Sequence, residues 1–352
     1  MGNKINIAVL FGGKSVEHEV SLLSARNVIE ALDREKYTIT LIGIDKGGEW
    51  HFYDEADYLI NADDPEAIEL GEKKSPVEFS KLSSFIDMIF PVLHGSNGED
   101  GTVQGLCALL NIPFVGAGVI GSSVGMDKDV MKRLLRDAKI STPRFSVLHL
   151  HQRPRFSLEE IVFPVFVKPS NGGSSLGISK VKTREDLEIA MDVAFQFDRK
   201  ILIEEAIEGR EIQCSLLGNE HPIVSLPCEI IPKGDFHSYS SKYIDPEGAE
   251  FIIPAQLNQE ELSKVQMTAM DAYKVLCCEG LARMDMFLTP DGTVLVSEIN
   301  TLPGLTNMSP YSKMWKASGL NYAEMLEQLI ELARKAHENT CRNWTRQPSL
   351  FT

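Results

Sequence analysis

The sequence predicts an α/β protein: an N-terminal doubly wound parallel-sheet domain followed by two α+β lobes. Three observations carry this. Apolar strand-like runs alternate with helical periodicity through the first third of the chain, which implies a parallel sheet covered on both faces. A glycine-serine loop sits between short strands in the middle third. A hairpin and a long amphipathic helix occupy the last third. The length of 352 residues suits two or three domains with an ample core. The expected divisions are 1–121, 122–208 and 209–338, with 339–352 a loose tail.

Ile5–Phe11 is a short apolar run ending at Gly12-Gly13, a buried strand entering a turn. Ser21 is placed to cap a helix carrying Leu22, Ala25, Ile29 and Leu32 at helical spacing. Tyr37–Ile44 and Met88–Leu93 read as strands, and Val103–Leu110 as a helix stopped by Asn111 and Pro113. The small residues of Gly118–Gly125 suggest a linker. A helix over Asp127–Lys139 follows, then strands at Val165–Lys168, Ile178–Val181 and Ile201–Glu205, with a helix capped at Thr183 between the last two. Strands are expected at Glu211–Leu217 and Ile223–Ile231, and helices at Gln259–Cys278 and Tyr322–Ala336.

Composition narrows the function. Against 50 acidic residues stand 35 basic ones, a net charge of −15, so no nucleic-acid surface is expected. No apolar stretch approaches the ~20 residues of a membrane span. The amino terminus has neither a secretory signal nor a complete myristoylation motif, because Asn6 stands where Ser or Thr is needed. The six cysteines lack CxxC spacing and read as buried free thiols. A cytoplasmic protein is expected.

Three segments could carry chemistry. Gly12-Gly13-Lys14-Ser15 is no P-loop, since Ala8 replaces the first glycine, and no dinucleotide fingerprint is present. It remains a strand-to-helix turn at the ligand-binding end of a parallel sheet, where Glu17 could hold an ammonium group or simply meet solvent. The loop Pro169–Gly177, with Lys168 before it, could cradle phosphate oxygens or be an ordinary glycine hairpin. The segment Leu281–Asn300 turns at Thr289-Pro290-Asp291-Gly292. An even loop there pairs Arg283 with Glu298 and sets Asp285 diagonal to it on one face; an odd loop would separate them. Asp285, Glu298 and Asn300 then form an oxygen-only set suited to Mg²⁺, or a solvent face with a cross-strand ion pair.

In this order the pieces resemble the ATP-grasp ligases, and among them the D-alanine–D-alanine ligase family. The carriers are Glu17 after its glycine turn, His94–Gly101, Lys128, Lys168 with its Gly-Gly-Ser-Ser, Arg283-x-Asp285, Glu298-x-Asn300, and Asn300–Thr306. The resemblance covers Ile5 to about Ala336 and implies that the two later lobes form an ATP-grasp module. It implies ATP-dependent joining of two D-alanines through an acyl phosphate, for peptidoglycan precursors, in a homodimer. ATP would come with a pair of Mg²⁺ (or Mn²⁺) ions on Asp285, Glu298 and Asn300. Lys128, Lys168 and Lys242 would hold nucleotide phosphates, Glu204 and Glu211 would flank the adenosine, and Ser175, Ala206 and Ile207 would also bind the nucleotide. Glu17 would pair with the first ammonium, and His94 would lie near its carboxylate. Arg283 and the Gly304 N–H would form the oxyanion hole. Ser309 and Pro310 would meet the second substrate. Ser174 and Tyr243 would join Glu17 in closing a loop over the site. The stretch Phe236–Tyr243 departs from the family at His237 and Ser238 while keeping Lys242 and Tyr243. Relatives that use D-lactate or D-serine as second substrate alter this loop or nearby pocket residues; a same-fold ligase of that kind and a non-catalytic nucleotide-binding regulator are the alternatives.

Overall fold

A computed structural model describes residues 4–155, 161–233 and 248–345. The first sheet is built on β1 (Ile5–Gly12), followed by α1 (His18–Ala31), β2 (Tyr37–Ile44) and β3 (Trp50–Tyr53). A separate pair, β4 (Leu59–Ile60) and β5 (Glu69–Leu70), precedes α2 (Phe79–Leu82), β6 (Met88–Pro91) and α3 (Thr102–Leu109). The strand order is β3-β2-β1-β6. β1 runs parallel to β2 and β6, as expected, but β3 is an antiparallel edge strand.

The unbroken apolar run of β1 is explained by two-sided burial. Ile7, Val9 and Phe11 enter one core with Leu22, Ala25 and Val28 of α1. Ala8 and Leu10 enter another with Val103 and Cys107 of α3. Ser21 is not the cap. α1 begins earlier, on Glu17, and the Ser21 hydroxyl accepts from the Gly12 N–H at 2.8 Å and donates to the Val92 carbonyl. It ties α1 to the ends of β1 and β6, where the ligand-binding mouth of such a sheet lies.

The expected linker is helical: α4 spans Val119–Met126. Its small residues serve close approach, since a Cβ on Gly121 would meet the Cys277 carbonyl oxygen at 2.5 Å. α5 (Lys128–Asp137) starts on Asp127, whose carboxylate accepts from the Asp129 and Val130 N–H groups. The second sheet contains β7 (Phe145–His149), β8 (Val165–Pro169), β9 (Ser179–Val181) and β10 (Lys200–Glu205), in the antiparallel order β7-β10-β8-β9. α6 (Arg184–Phe195), capped by Thr183, covers one face with Leu187, Ala190 and Met191. β7 escaped the sequence reading because it is an edge strand burying only Leu148, so it carries no two-residue apolar period.

The third sheet has the order β14-β13-β11-β15-β16, with β12 paired to β11. Its strands are β11 (Arg210–Leu217), β12 (Ile223–Val224), β13 (Cys228–Pro232), β14 (Ala249–Ile252), β15 (Leu281–Leu288) and β16 (Val294–Asn300). The strand expected over Ile223–Ile231 is two, interrupted at Pro227. α7 (Gln259–Val275), with a capping box at Asn258 and Glu261, packs Val265, Ala269 and Ala272 on this sheet. Met131 and Leu135 of α5 enter the same core, so α5 bridges the second and third sheets. α8 (Pro310–Ala317) and α9 (Tyr322–Thr345) return to the first core through Tyr311, Trp315, Met325 and Leu329. The expected tail therefore begins too early, because α9 runs on through residue 345. All six cysteines are free, and Cys107, Cys214, Cys228 and Cys278 are buried. No helix among the described residues is long and apolar enough to cross a membrane.

Candidate active site

The hairpin of β15 and β16 is built differently from the expectation and reaches the same result. Leu288 faces Val294, not Thr293, so the loop is odd. The Gly292 N–H donates to the Thr289 carbonyl, closing a turn whose fourth residue, Gly292, is left-handed at φ +78°. That register alone would turn Glu298 to the core. A bulge beside Asp285 and Met286 corrects it: Met286 pairs with Val296, but Asp285 pairs with Glu298 and Arg283 with Asn300. The bulge is legible in the burial of β16, where Val294, Val296 and then Ile299 are buried. Arg283, Asp285, Glu298 and Asn300 thus share one face.

Two cavities open on this face. The larger, of about 330 Å³, is bounded by Glu17, His94, Glu99, Lys128, Ser174, Arg283, Glu298, Asn300, Gly304, Ser309 and Pro310 among others. The smaller, of about 140 Å³, lies between the second and third sheets and is bounded by Lys168, Glu204, Glu211, Asp285 and Glu298 among others. Glu298, Gln213 and Ile230 belong to both walls, so the cavities meet there.

The cations are placed by strand ends and a helix start. Lys128, at the head of α5, is 5% exposed and is thus not a surface lysine. Its Nζ donates to the Gly172 carbonyl at 2.7 Å and stands 3.5 Å from Glu298 Oε2. Lys168, at the end of β8, donates to Glu204 Oε1 at 2.5 Å. Glu204 Oε2 lies 2.7 Å from Lys132 Nζ. Burial alone would raise the Glu204 pKa, but Lys168 and Lys132 outweigh it and hold the carboxyl below its ordinary value. Between Lys168 and β9 the loop carries Gly172, Ser174, Ser175 and Gly177 at positive φ, the last at +68°. Ser174 and Ser175 are non-glycine residues in that region, a strain of the kind concentrated at ligand clamps.

The first sheet supplies the acidic wall. Glu17 Oε2 is wedged between two loops: a Cβ on Gly95 would meet it at 2.9 Å, and one on Gly173 at 3.6 Å. Glu99 accepts from the Gly95 N–H at 2.8 Å, and burial, then the charge of Glu17, raises its pKa well above the ordinary value. His94 has both ring nitrogens engaged, Nδ1 with the Leu302 carbonyl at 2.9 Å and Nε2 with the Ser24 hydroxyl at 3.1 Å. Burial lowers its pKa, which keeps the ring neutral. It therefore positions the Leu302–Gly304 segment against α1 while lining the larger cavity. Ser309 stands before α8 in extended conformation without a side-chain capping bond, its hydroxyl 2.7 Å from Thr306 Oγ1, with Pro310 next to it.

The description "D-ala D-ala ligase N-terminus" matches residues 6–117, and "D-ala D-ala ligase C-terminus" residues 134–331. The chain belongs to the D-alanine–D-alanine ligase family. It is 47% identical to the D-alanine–D-alanine ligase of Oceanobacillus iheyensis over 348 residues, covering 94% of this chain and 95% of that one. Among solved structures it is similar to the VanG D-Ala:D-Ser ligase of Enterococcus faecalis, with TM-score 0.84, 37% identity and coverage of 94% and 100%. It is also similar to the Bacillus anthracis D-alanine–D-alanine ligase complexed with ATP, with TM-score 0.75, 29% identity and coverage of 96% and 99%.

Of the site residues that the ligase resemblance implies, most line one cavity or the other. Ala206 and Ile207 lie in the link between β10 and β11, outside both walls as described. Lys242 and Tyr243, with the departures at His237 and Ser238, lie outside the described residues. Sequence reasoning missed Lys132, Glu99 and Gln213. Lys132 and Glu99 are charged residues that only tertiary burial makes unusual. Gln213 has a buried Oε1 with no hydrogen-bond partner at the junction of the cavities. Its place two residues after Glu211 on one strand face is the signal that could have found it.

The donor set fits a hard divalent cation. Asp285, Glu298 and Asn300 offer oxygen alone from one face. Asp285 is held by Arg283 at 2.7 and 2.8 Å, and Asn300 Oδ1 accepts from the Leu302 N–H at 3.0 Å. Both contacts orient the oxygens that a metal would take.

Proposed function

We propose that this chain joins two D-alanines into D-alanyl-D-alanine, driven by ATP, with the nucleotide in the smaller cavity and the amino acids in the larger. The meeting of the two cavities at Glu298 and Gln213 carries this reading, because phosphoryl transfer needs nucleotide and carboxylate side by side. Lys168 and Lys128 hold the phosphates, and Glu211 faces the nucleoside. Mg²⁺, bound by Asp285, Glu298 and Asn300, supplies charge neutralisation for the moving phosphoryl group. Glu17 takes the ammonium of the first D-alanine. The carboxylate oxygen of that D-alanine attacks the γ-phosphorus and ADP leaves, giving an acyl phosphate; the second amine then attacks the carbonyl carbon, displacing phosphate and losing a proton. The Arg283 guanidinium, its plane fixed by Asp285, and the Gly304 N–H stabilise the oxyanion. One such donor is worth about 10²–10³ in rate. Ser309 holds the second carboxylate.

Closure of the loop around Ser174 over the mouth near Glu17 would keep water from the acyl phosphate. The same reading places the enzyme in the cytoplasm as a homodimer; the exposed Leu109 of α3 and Ile120 of α4 offer an apolar surface for it. Incubation with ATP, Mg²⁺ and D-alanine, D-serine or D-lactate, followed by mass spectrometry, tests the assignment. The expected product is the D-alanine dipeptide with release of ADP and phosphate. A D-alanyl-D-serine product in preference would move the second-substrate assignment, and absence of ADP release with every D-amino acid would reject the ligase. Glu298→Ala is expected to abolish turnover in the same assay while the protein stays folded; retained turnover rejects the metal assignment.

A further inference from the structure

Lys132 lies on α5 one turn after Lys128 and is 0% exposed. A fully buried ammonium is expensive unless paired. Its anionic partner is Glu204 of β10, at 2.7 Å, and the ring of Phe145 on β7 lies 5.9 Å from Nζ. The other oxygen of Glu204 is taken by Lys168 of β8 at 2.5 Å. Two ammonium groups therefore share one buried carboxylate, and the cluster holds one surplus positive charge. Glu298 of β16 acts on Lys132 more weakly, and Lys168 opposes it. Lys168 and Glu204 line the smaller cavity, whereas Lys132 stands behind them and cannot touch its contents.

We propose that Lys132 is a positioning residue for the nucleotide: it fixes Glu204, and through it Lys168, and supplies the surplus charge that the nucleotide phosphates neutralise. The inference rests on the nucleotide occupying that cavity. Its consequence is proton linkage. Burial, against the opposing pull of Glu204, lowers the Lys132 pKa to about 8. An entering anion favours the charged form and raises that pKa. Binding of ADP near pH 8.5 thus takes up protons, and affinity falls as pH rises through and above about 8.

Calorimetric titration of ADP with Mg²⁺ at pH 8.5, in buffers of different ionisation enthalpy, measures this uptake. Wild type is expected to take up protons. Lys132→Met, close in volume, is expected to bind ADP roughly tenfold more weakly at pH 7, where the wild-type ammonium is charged, the equivalent of one pKa unit of coupling, with the uptake at pH 8.5 lost and adenosine binding weakened less. Lys132→Arg is expected to regain ADP affinity without uptake, because a guanidinium keeps its proton. Failure of wild type to bind ADP overturns the nucleotide-site reading itself. Wild-type binding without uptake, equal ADP affinity in Lys132→Met, or equal losses for ADP and adenosine overturns the role of Lys132.

Discussion

Glu99 and His94 show how burial redirects residues that the sequence offers only as polar. Both belong to the stretch His94–Gly101 and both are buried at the larger cavity. Glu99 has its folded-state pKa raised, so between the ordinary carboxylate value and that raised value the native state binds more protons than the unfolded one. Stability from this group is full at low pH and is lost as pH rises through that window. Glu99→Gln keeps an oxygen for the Gly95 N–H and removes the carboxyl that must take up a proton on folding. Its melting temperature is expected to exceed that of wild type at pH 8 and to approach it at pH 5, as thermal unfolding at the two pH values would report. An unchanged gap between the two proteins would contradict proton uptake by Glu99 on folding. His94 runs the other way: its lowered folded pKa makes stability fall as pH drops below its ordinary value. The types and spacing of these residues were legible in the sequence. The partners of His94, Ser24 and Leu302, come from elements far apart in the chain and were not.

At the scale of elements, α4 and the β15–β16 hairpin mark where local reasoning stops. Glycine and serine in a run were read as a linker because both favour loops in isolation. In α4 they are demanded by a neighbour, since Gly121 abuts the Cys277 carbonyl and Gly125 abuts Thr301 and Ile299. Gly121→Val is therefore expected to destabilise by about 1–3 kcal/mol, the usual cost of overpacking. Gly105→Ala, inside α3 with no atom within 4 Å of the added methyl, is expected to be neutral or to stabilise by about 0.4–1 kcal/mol. Denaturant unfolding of the two variants checks the contrast; a stable Gly121→Val would disprove tight packing as the reason for these glycines. In the hairpin, the turn residues were read correctly, but register depends on a bulge whose signal is a single slip in apolar alternation. The shared face survives because the odd loop and the bulge each shift the register, and the two shifts restore the side-chain parity.

Over the whole molecule, the site is assembled from all three sheets. The first contributes Glu17 and Glu99, the second Lys168 and Glu204, the third Arg283, Asp285 and Glu298. A nucleotide bridging the second and third sheets would stabilise the folded state by RT ln(1 + [L]/Kd), about 2.7 kcal/mol at one hundred times Kd. Addition of ADP and Mg²⁺ is accordingly expected to raise the melting temperature in a concentration-dependent way, and a flat response would argue against a nucleotide between those sheets. The net charge of −15 does not oppose this, because Lys128, Lys132 and Lys168 are concentrated where the phosphates are proposed to bind. The sequence by itself determined the alternation of elements, the parallel core of the first sheet, the oxygen-rich hairpin and, through motifs in register, the ligase family. These follow from local periodicity, turn chemistry and the order of short patterns along the chain. Only the tertiary structure decided that the small-residue run is a helix, that His94 is held at both nitrogens, and that Lys132 shares Glu204 with Lys168. Each depends on which distant backbone or charge lies opposite, and on the exclusion of water between them, which no stretch of sequence encodes alone.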